Sequence, residues 1–408
     1  MDHVTGNTMQ QIMSQFEDWV KSFAQESAGL RTAEDTTAFE QRFRDESLRM
    51  IGSMFEQLLQ NAVDHQPTPR TCPKCGRKRR HKGRRERGLL SSVGAIGLHG
   101  TYWYCSDCGG HHVAETLAPE SSSRPMQQLL CLLGTSMASF AKASFASQKL
   151  LGLRVSDATI RRLCYSHGLK VPVAPVPVEP GTDLLGSCDG TMVHTRQEGW
   201  KEMKAYQFRH GANRHGRAYL EPSGRFIPRL RQAATALKAG RAQRLFWVSD
   251  AAEWIDKGVQ AQLPMALRII DIWHAWEHVH EAARGIYPDH EDRAGPWAER
   301  YCKVLEGSGG YALWQRLRHA YYAEPDRQQA VETLRKYLHK NAERLAYPEY
   351  RRKGYPISSG MMESFCKQLG QRMKGPGMRW NINNVTVMGT LVSLWANDEW
   401  DGYWKTVA

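Results

Sequence analysis

Residues 186–195, GSCDGTMVHT, end an apolar approach (183–190, DLLGSCDG) with an aspartate followed at once by glycine. Two readings compete. Asp-Gly is a strong two-residue hairpin signal, which would put Asp189 in a turn. Alternatively the strand runs on and Asp189 projects from it toward a cation, which requires partner carboxylates further along. The partners decide between them, and with that the fold of the C-terminal half.

After a proline-rich spacer (170–181, KVPVAPVPVEPG) the pattern becomes strand-like in 184–194 (LLGSCDGTMVH), 201–210 (KEMKAYQFRH) and 216–223 (GRAYLEPS). A helical RLRQAATALKAG (229–240) follows. RLFWVSD (244–250) is then a continuous apolar run delivering Asp250 at its tip, where it either caps the next helix or joins a carboxylate cluster. ALRIIDIWHAWEHVH (266–280) repeats the form with Asp271 and continues as a helix. Asp271, His274 and His278 fall on one face of that helix. A zinc site on His274 and His278 lacks the intervening glutamate of the metalloprotease pattern. Hydrogen bonding around the carboxylates and to DNA is the better use, with a capping Asp and interior histidines as the plain alternative. Three strands, a helix, then strands alternating with helices is the ribonuclease H order.

Residues 284–350 are helical and rich in Tyr, Arg and Trp, interrupting the sheet pattern. Beyond YPISSG (355–360), Ser359 or Gly360 starts a helix with Glu363 in its first turn. Dipole compensation alone favours glutamate there, yet Glu363, Lys367 and Lys374 share a face, an acid beside cations. Asp189, Asp250 and Glu363 thus supply three acids from separate segments. Carboxylate oxygens are the hard ligands magnesium accepts, and two such ions about 4 Å apart can drive phosphoryl transfer.

Working back toward the N-terminus, SFASQKLLGLRVSDATIRRLCYSHG (144–168) reads as helix, glycine-containing turn, and a helix capped by Ser156 with Arg161 and Arg162 near its start. That suits a helix-turn-helix or an ordinary helical hairpin. Before it lie two C-x-x-C knuckles, Cys72/Cys75 and Cys105/Cys108, separated by 29 residues (76–104), the second following strand-like GTYWYC. Each offers two thiolates from one tight turn, and a hairpin spacer brings both to one structural zinc, as in a zinc ribbon. The spacer carries a basic run, including Arg79, Arg80, Arg84 and Arg85, suited either to solvent or to phosphates. Residues 8–64 show helical apolar spacing, and DHQPTPR (64–70) breaks it.

The whole chain has 408 residues, 41% hydrophobic and 24% charged, an ordinary globular balance. Its formal charge of +13 favours a polyanionic partner, without separating DNA from RNA or an anionic membrane. No run of eighteen apolar residues and no leader-like N-terminus occur, so a soluble cytoplasmic protein without membrane partner is expected. The nine cysteines, with only four in tight pairs, fit a reducing compartment and one metal site.

CDGTMVHT (188–195), FWVSDAAEWI (246–255), IIDIWHAWEHV (269–279) and SSGMMESFCKQLGQRMKGPGMRWN (358–381), in this order, resemble bacterial insertion-sequence transposases of the Kra group, relatives of the Mutator-like superfamily. With the knuckles, the resemblance spans roughly residues 70–395. The last block is the most specific. The resemblance implies a DDE triad of Asp189, Asp250 and Glu363 holding Mg2+ or Mn2+ on a ribonuclease H-like core with an all-helical insertion. Asp271 and His274 match an acid-x-x-His pattern that supports DNA handling. Lys367, Lys374 and Arg379 join the arginines above as DNA contacts. The expected fold is multidomain α+β: N-terminal helices (1–70), zinc ribbon (71–118), helix-turn-helix-like segment and linker (119–180), then a ribonuclease H-like mixed-sheet core (181–283 and 353–408) split by the insertion (284–352). The expected function is binding and metal-dependent cleavage and joining of transposon ends and target duplex DNA, as a homo-oligomer on DNA. A structure-specific nuclease, or a non-catalytic zinc-ribbon DNA-binding protein derived from a transposase, are the alternatives.

Overall fold

A computed structural model describes residues 2–67, 70–72, 74–171 and 174–407. Residues 68 and 69 of the first linker and 172 and 173 of the proline-rich spacer lie outside them. The chain divides into two compact units, the second being Tyr165–Val407.

The first unit opens with two long helices, α1 (Asp2–Ser27) and α2 (Ala33–Asp64). The start of α2 is fixed by Thr32 and Asp35, whose side chains each accept the other's backbone N–H at 3.1 and 2.9 Å. Trp19 and Phe23 of α1 meet Phe39 and Phe43 of α2 in an aromatic cluster with centroids between 5.0 and 6.2 Å. A three-stranded antiparallel sheet follows: β1 (Arg80–Ser91), β2 (Gly94–Cys105) and β3 (Gly109–His112). Leu89, Ile96 and Leu98 pack with Phe55, Leu59 and Val63 of α2. Gly52 allows the close approach, since a Cβ there would come within 2.9 Å of the Val93 carbonyl oxygen. Helices α3 (Arg124–Ser136) and α4 (Phe140–Leu151) follow, and α5 (Asp157–Lys170) runs across the boundary between the two units. Gly152 ends α4 with φ of 69°, and the Ser156 hydroxyl takes the Thr159 N–H at 3.2 Å. Helix, glycine turn and capped helix are therefore all present.

The second unit is built on a five-stranded mixed sheet in the order β6-β5-β4-β7-β8. Its strands are β4 (Asp183–Thr195), β5 (Gly199–His210), β6 (Asn213–Tyr219), β7 (Arg244–Ser249) and β8 (Leu267–Ile270). β4 to β6 pair antiparallel, while β7 and β8 add in parallel. Two helices, α6 (Ser223–Ala236) and α7 (Glu253–Gln262), bury Phe226, Leu230, Ile255 and Val259 against Leu184, Phe208 and Trp247. On α8 (Ile272–Ile286) the apolar face of Ile272, Ala275, Val279, Ala282, Ala283 and Ile286 joins a separate core. That core is shared with α9 (Glu291–Leu317), α10 (Pro325–Lys340) and α11 (Tyr347–Arg352), the helical block between β8 and the chain's last helices. α12 (Gly360–Met373), α13 (Ile382–Ala396) and α14 (Trp400–Thr406) follow. The fold is thus mixed α+β around a mixed five-stranded sheet, and no described helix is long and apolar enough to cross a membrane.

The Asp-Gly question is settled by register. Asp189 pairs with Ala205 and Gly190 with Lys204, in the middle of a ladder that continues to Thr195 and Gly199. The hairpin turn falls on residues 196–198, so Asp189 stands within a strand.

Candidate active site and metal cluster

The parallel half of the sheet brings acids together. The last β4–β7 pair is Gly186 with Trp247, and the last β7–β8 pair is Ser249 with Ile270. Counting on from these pairs, Asp189 within β4, Asp250 just past β7 and Asp271 just past β8 occupy one row across three neighbouring strands. Here parallel strands release their backbone partners and side chains from several segments meet. Asp189, Asp250, Asp271, His274, Ser359 and Glu363 line one cleft of about 500 Å³, together with Cys188, Ser249, Trp273 and Glu277.

The acids are not equivalent. Burial pushes the Asp189 carboxyl up, the Gly190 N–H at 2.6 Å opposes this, and the nearby Asp250 charge adds to the rise. The Cys366 thiol, on α12 beside Glu363, also favours the ionised form of the Asp189 carboxyl. Asp250 spends one oxygen on the Ala252 N–H at 3.1 Å, so it also serves the turn into α7. Glu363 is exposed in the first turn of α12, and an ion pair with Lys367 at 2.7 Å holds its carboxyl below the usual range. His274 favours the ionised forms of both Asp189 and Glu363.

Asp271 is 2% exposed, and both its oxygens are committed to protein donors. Oδ1 accepts the Trp273 N–H at 2.7 Å and caps α8, while Oδ2 accepts both the N–H and the hydroxyl of Ser359, the N-cap of α12. Asp271 therefore ties α8 to the helix that carries Glu363. His274 and His278 are engaged separately along α8. Each pairs with a glutamate of its own helix, Glu277 at 3.0 Å and Glu281 at 3.4 Å, and His278 packs on Tyr337.

The four knuckle cysteines converge more tightly. Among the described residues they alone form a group of at least three His, Cys, Asp or Glu side chains with ligand atoms all within 4.8 Å. Cys75 and Cys105 sulfurs are 3.6 Å apart, close to the edge of about 3.8 Å that a tetrahedron with Zn–S of about 2.3 Å requires. Each knuckle ends in a left-handed glycine, Gly76 at φ 74° and Gly109 at φ 82°, which turns the chain back after its second thiol. The Lys74 N–H draws the Cys72 thiol down to about 6, while hydrogen bonding to Cys75 pushes Cys108 up to about 12. Four thiols this close cannot all ionise without a cation among them, and together they could hold zinc.

The basic residues divide by environment. Arg80 is exposed on β1. Arg84 contacts Asp64 at 3.0 Å, Arg85 covers the Tyr102 ring at 4.1 Å, and Arg79 lies 5.7 Å from the Trp103 ring. Arg161 and Arg162 are exposed on α5. Lys374 caps the far end of α12. The segment bearing Arg379 joins the end of β4 instead of the cleft: Trp380 N–H donates to the His194 carbonyl at 2.9 Å, and Arg196 N–H to the Trp380 carbonyl at 2.8 Å.

Sequence reading missed Trp273, Glu277 and Cys366 as neighbours of the acids. Trp273 had a signal, because it falls outside the apolar face of α8 that its neighbours Ile272 and Ala275 define.

No protein-family model matches the sequence, and no curated protein matches it. Among solved structures the chain is similar to the Drosophila P element transposase strand transfer complex, at 9% identity and a TM-score of 0.27, covering 70% of this chain and 80% of that one. At that identity and TM-score the likeness assigns neither family nor function.

Proposed function

We propose that this chain is a transposase that cleaves and joins DNA by a DDE mechanism, with Asp189, Asp250 and Glu363 as its acids. One observation carries the reading: three carboxylates from β4, the end of β7 and α12 line a single cleft at the carboxyl edge of the sheet. The strand order, three antiparallel strands followed by two parallel ones with helices between, supports a ribonuclease H-like core. The helical block α9–α11 occupies the place expected for an insertion before the glutamate.

The donor set fits magnesium or manganese, since it is carboxylate oxygen throughout. The Asp189–Asp250 repulsion is the kind that a bound cation relieves. Bound there, such ions would supply Lewis-acid activation of the attacking oxygen and charge neutralisation at the leaving one. The chain's own contribution is placement. Asp189 sits within β4 and Asp250 just past the end of β7, and Asp271 fixes through Ser359 the N-terminus of α12, from which Glu363 lines the same cleft. Lys367 holds the Glu363 carboxylate ionised and can exchange that role for a phosphate contact. The tetrad, with structural zinc, and the arginines on β1 and α5 would bind duplex DNA.

The test is incubation with duplex carrying the DNA that borders its own gene, with magnesium and with a chelator. The reading expects magnesium-dependent nicks with free 3′ ends that join to a second duplex. Nicks without joining would leave a nuclease, and DNA binding without nicks would leave a non-catalytic DNA-binding protein.

A further inference from the structure

We propose that Trp273 is a stacking platform for an unpaired base of the DNA strand whose phosphate the acids hold; this rests on the transposase reading of the same cleft. Trp273 is 56% exposed although it is among the largest apolar side chains in the unit. It stands on the first turn of α8 and lines the cleft beside Asp189, Asp250 and Glu363. Core packing does not explain this position, because the buried face of α8 runs through Ile272, Ala275 and Val279 and excludes it.

The ring is exposed but not loose. It meets Trp276 in a T-shaped contact at 4.9 Å and 80°, and Trp276 is itself packed on the α8–α11 core. Its backbone N–H is bonded to Asp271, the same residue that ties down the helix of Glu363. Trp273 and the helix of Glu363 therefore share one support.

A cleft of about 500 Å³ has the size of a small-ligand site. Inside a duplex each base is covered by its neighbours, so a tryptophan beside the reacting phosphate can meet only a base that has left the stack. Every base offers a π-face, and stacking on an aromatic side chain needs no particular sequence. The exposed indole thus predicts that the strand is engaged with a base unpaired next to the cut.

Two measurements test this on the full zinc-loaded chain. In the first, wild type, Trp273→Ala and Trp273→Phe cleave end-bearing duplex in magnesium, intact or with an abasic nucleotide scanned across the positions flanking the cut. Trp273→Ala is expected to slow cleavage of the intact duplex about tenfold or more, Trp273→Phe to restore most of it, and one abasic position to erase the difference between wild type and Trp273→Ala. Equal rates on intact duplex, or the same loss at every abasic position, overturn the proposal. The second measurement needs no catalysis. In an Asp250→Asn background, 2-aminopurine is scanned through the same positions. Quenching at one position that Trp273→Ala relieves supports the platform, and emission unaffected by Trp273→Ala at all positions overturns it. A wild type that quenches but never cleaves retains the platform and removes the transposase reading.

Discussion

The cysteine cluster and the acid cleft gather ligands by different routes. The four thiols come from two tight turns joined by one hairpin, and they meet within 4.8 Å. The acids come from β4, β7 and α12, far apart in sequence, and share a cleft without converging to that degree. Cys72 to Cys108 form a site whose geometry local turns dictate. At the cleft the sheet fixes two acids in register, whereas Glu363 is exposed and held by Lys367. A preassembled site suits a resident structural ion, and an open one suits ions that arrive with a substrate.

The strongest way to break this contrast is to remove a cleft acid. Asp189→Asn, Asp250→Asn and Glu363→Gln should each slow strand cleavage by about a hundredfold to a thousandfold or more, the scale of losing one charge-stabilising group. Zinc content and DNA affinity should stay near wild type, as read by gel assay, metal analysis and titration. The opposite pattern is expected for Cys72→Ser with Cys105→Ser. Wild type should carry about one zinc, and the double variant none, with β1–β3 losing its fold in circular dichroism and DNA binding weakened.

Asp271 sharpens the contrast within the cleft. Asp271→Asn turns one acceptor into a donor facing Ser359, leaving buried groups mismatched at a cost of about 1–3 kcal/mol. The melting temperature should fall by about 2–4 °C for each of those kcal/mol in a unit of this size, and cleavage should fall as well. Divalent-ion affinity should hardly change, because Asp271 acts through Ser359; a large loss of ion affinity would make it a ligand.

A smaller effect follows from Asp189. Its folded pKa is raised, so the metal-free folded state binds a proton more readily than the unfolded chain. Stability therefore falls as pH rises from the ordinary aspartate range through the raised value. Asp189→Asn should flatten that slope in thermal melts without metal. On DNA, neutralising Arg79, Arg80, Arg84 and Arg85 should weaken binding to all sequences and lower the salt slope by about one unit per lost phosphate contact. Changing Arg161 and Arg162 should weaken end DNA more than random DNA in the same titrations.

Much of this is legible in the sequence. The knuckles announced themselves by spacing, and apolar runs ending in Asp250 and Asp271 marked strand tips. What the pattern could not decide was long-range. Asp-Gly at 189–190 has the composition of a turn, and only pairing with Ala205 and Lys204 makes it mid-strand. The sequence sets Asp271 three residues before His274, but its burial and its bonds to Ser359 depend on α12 arriving from 88 residues away. His278 shares a helical face with His274, yet packing against Tyr337 of α10 draws it off. Arg379 lies near the acids in sequence motif but runs along the far end of β4.

The claim that the cleft acids hold a divalent ion is tested most directly by exchanging a hard ligand for a soft one. Asp250→Cys should bind DNA like wild type and fail to cleave with magnesium, which avoids sulfur, and regain cleavage with manganese, which tolerates it better. Cleavage at the wild-type rate in magnesium, or no cleavage with either ion while DNA binding is intact, would contradict a metal-bound Asp250.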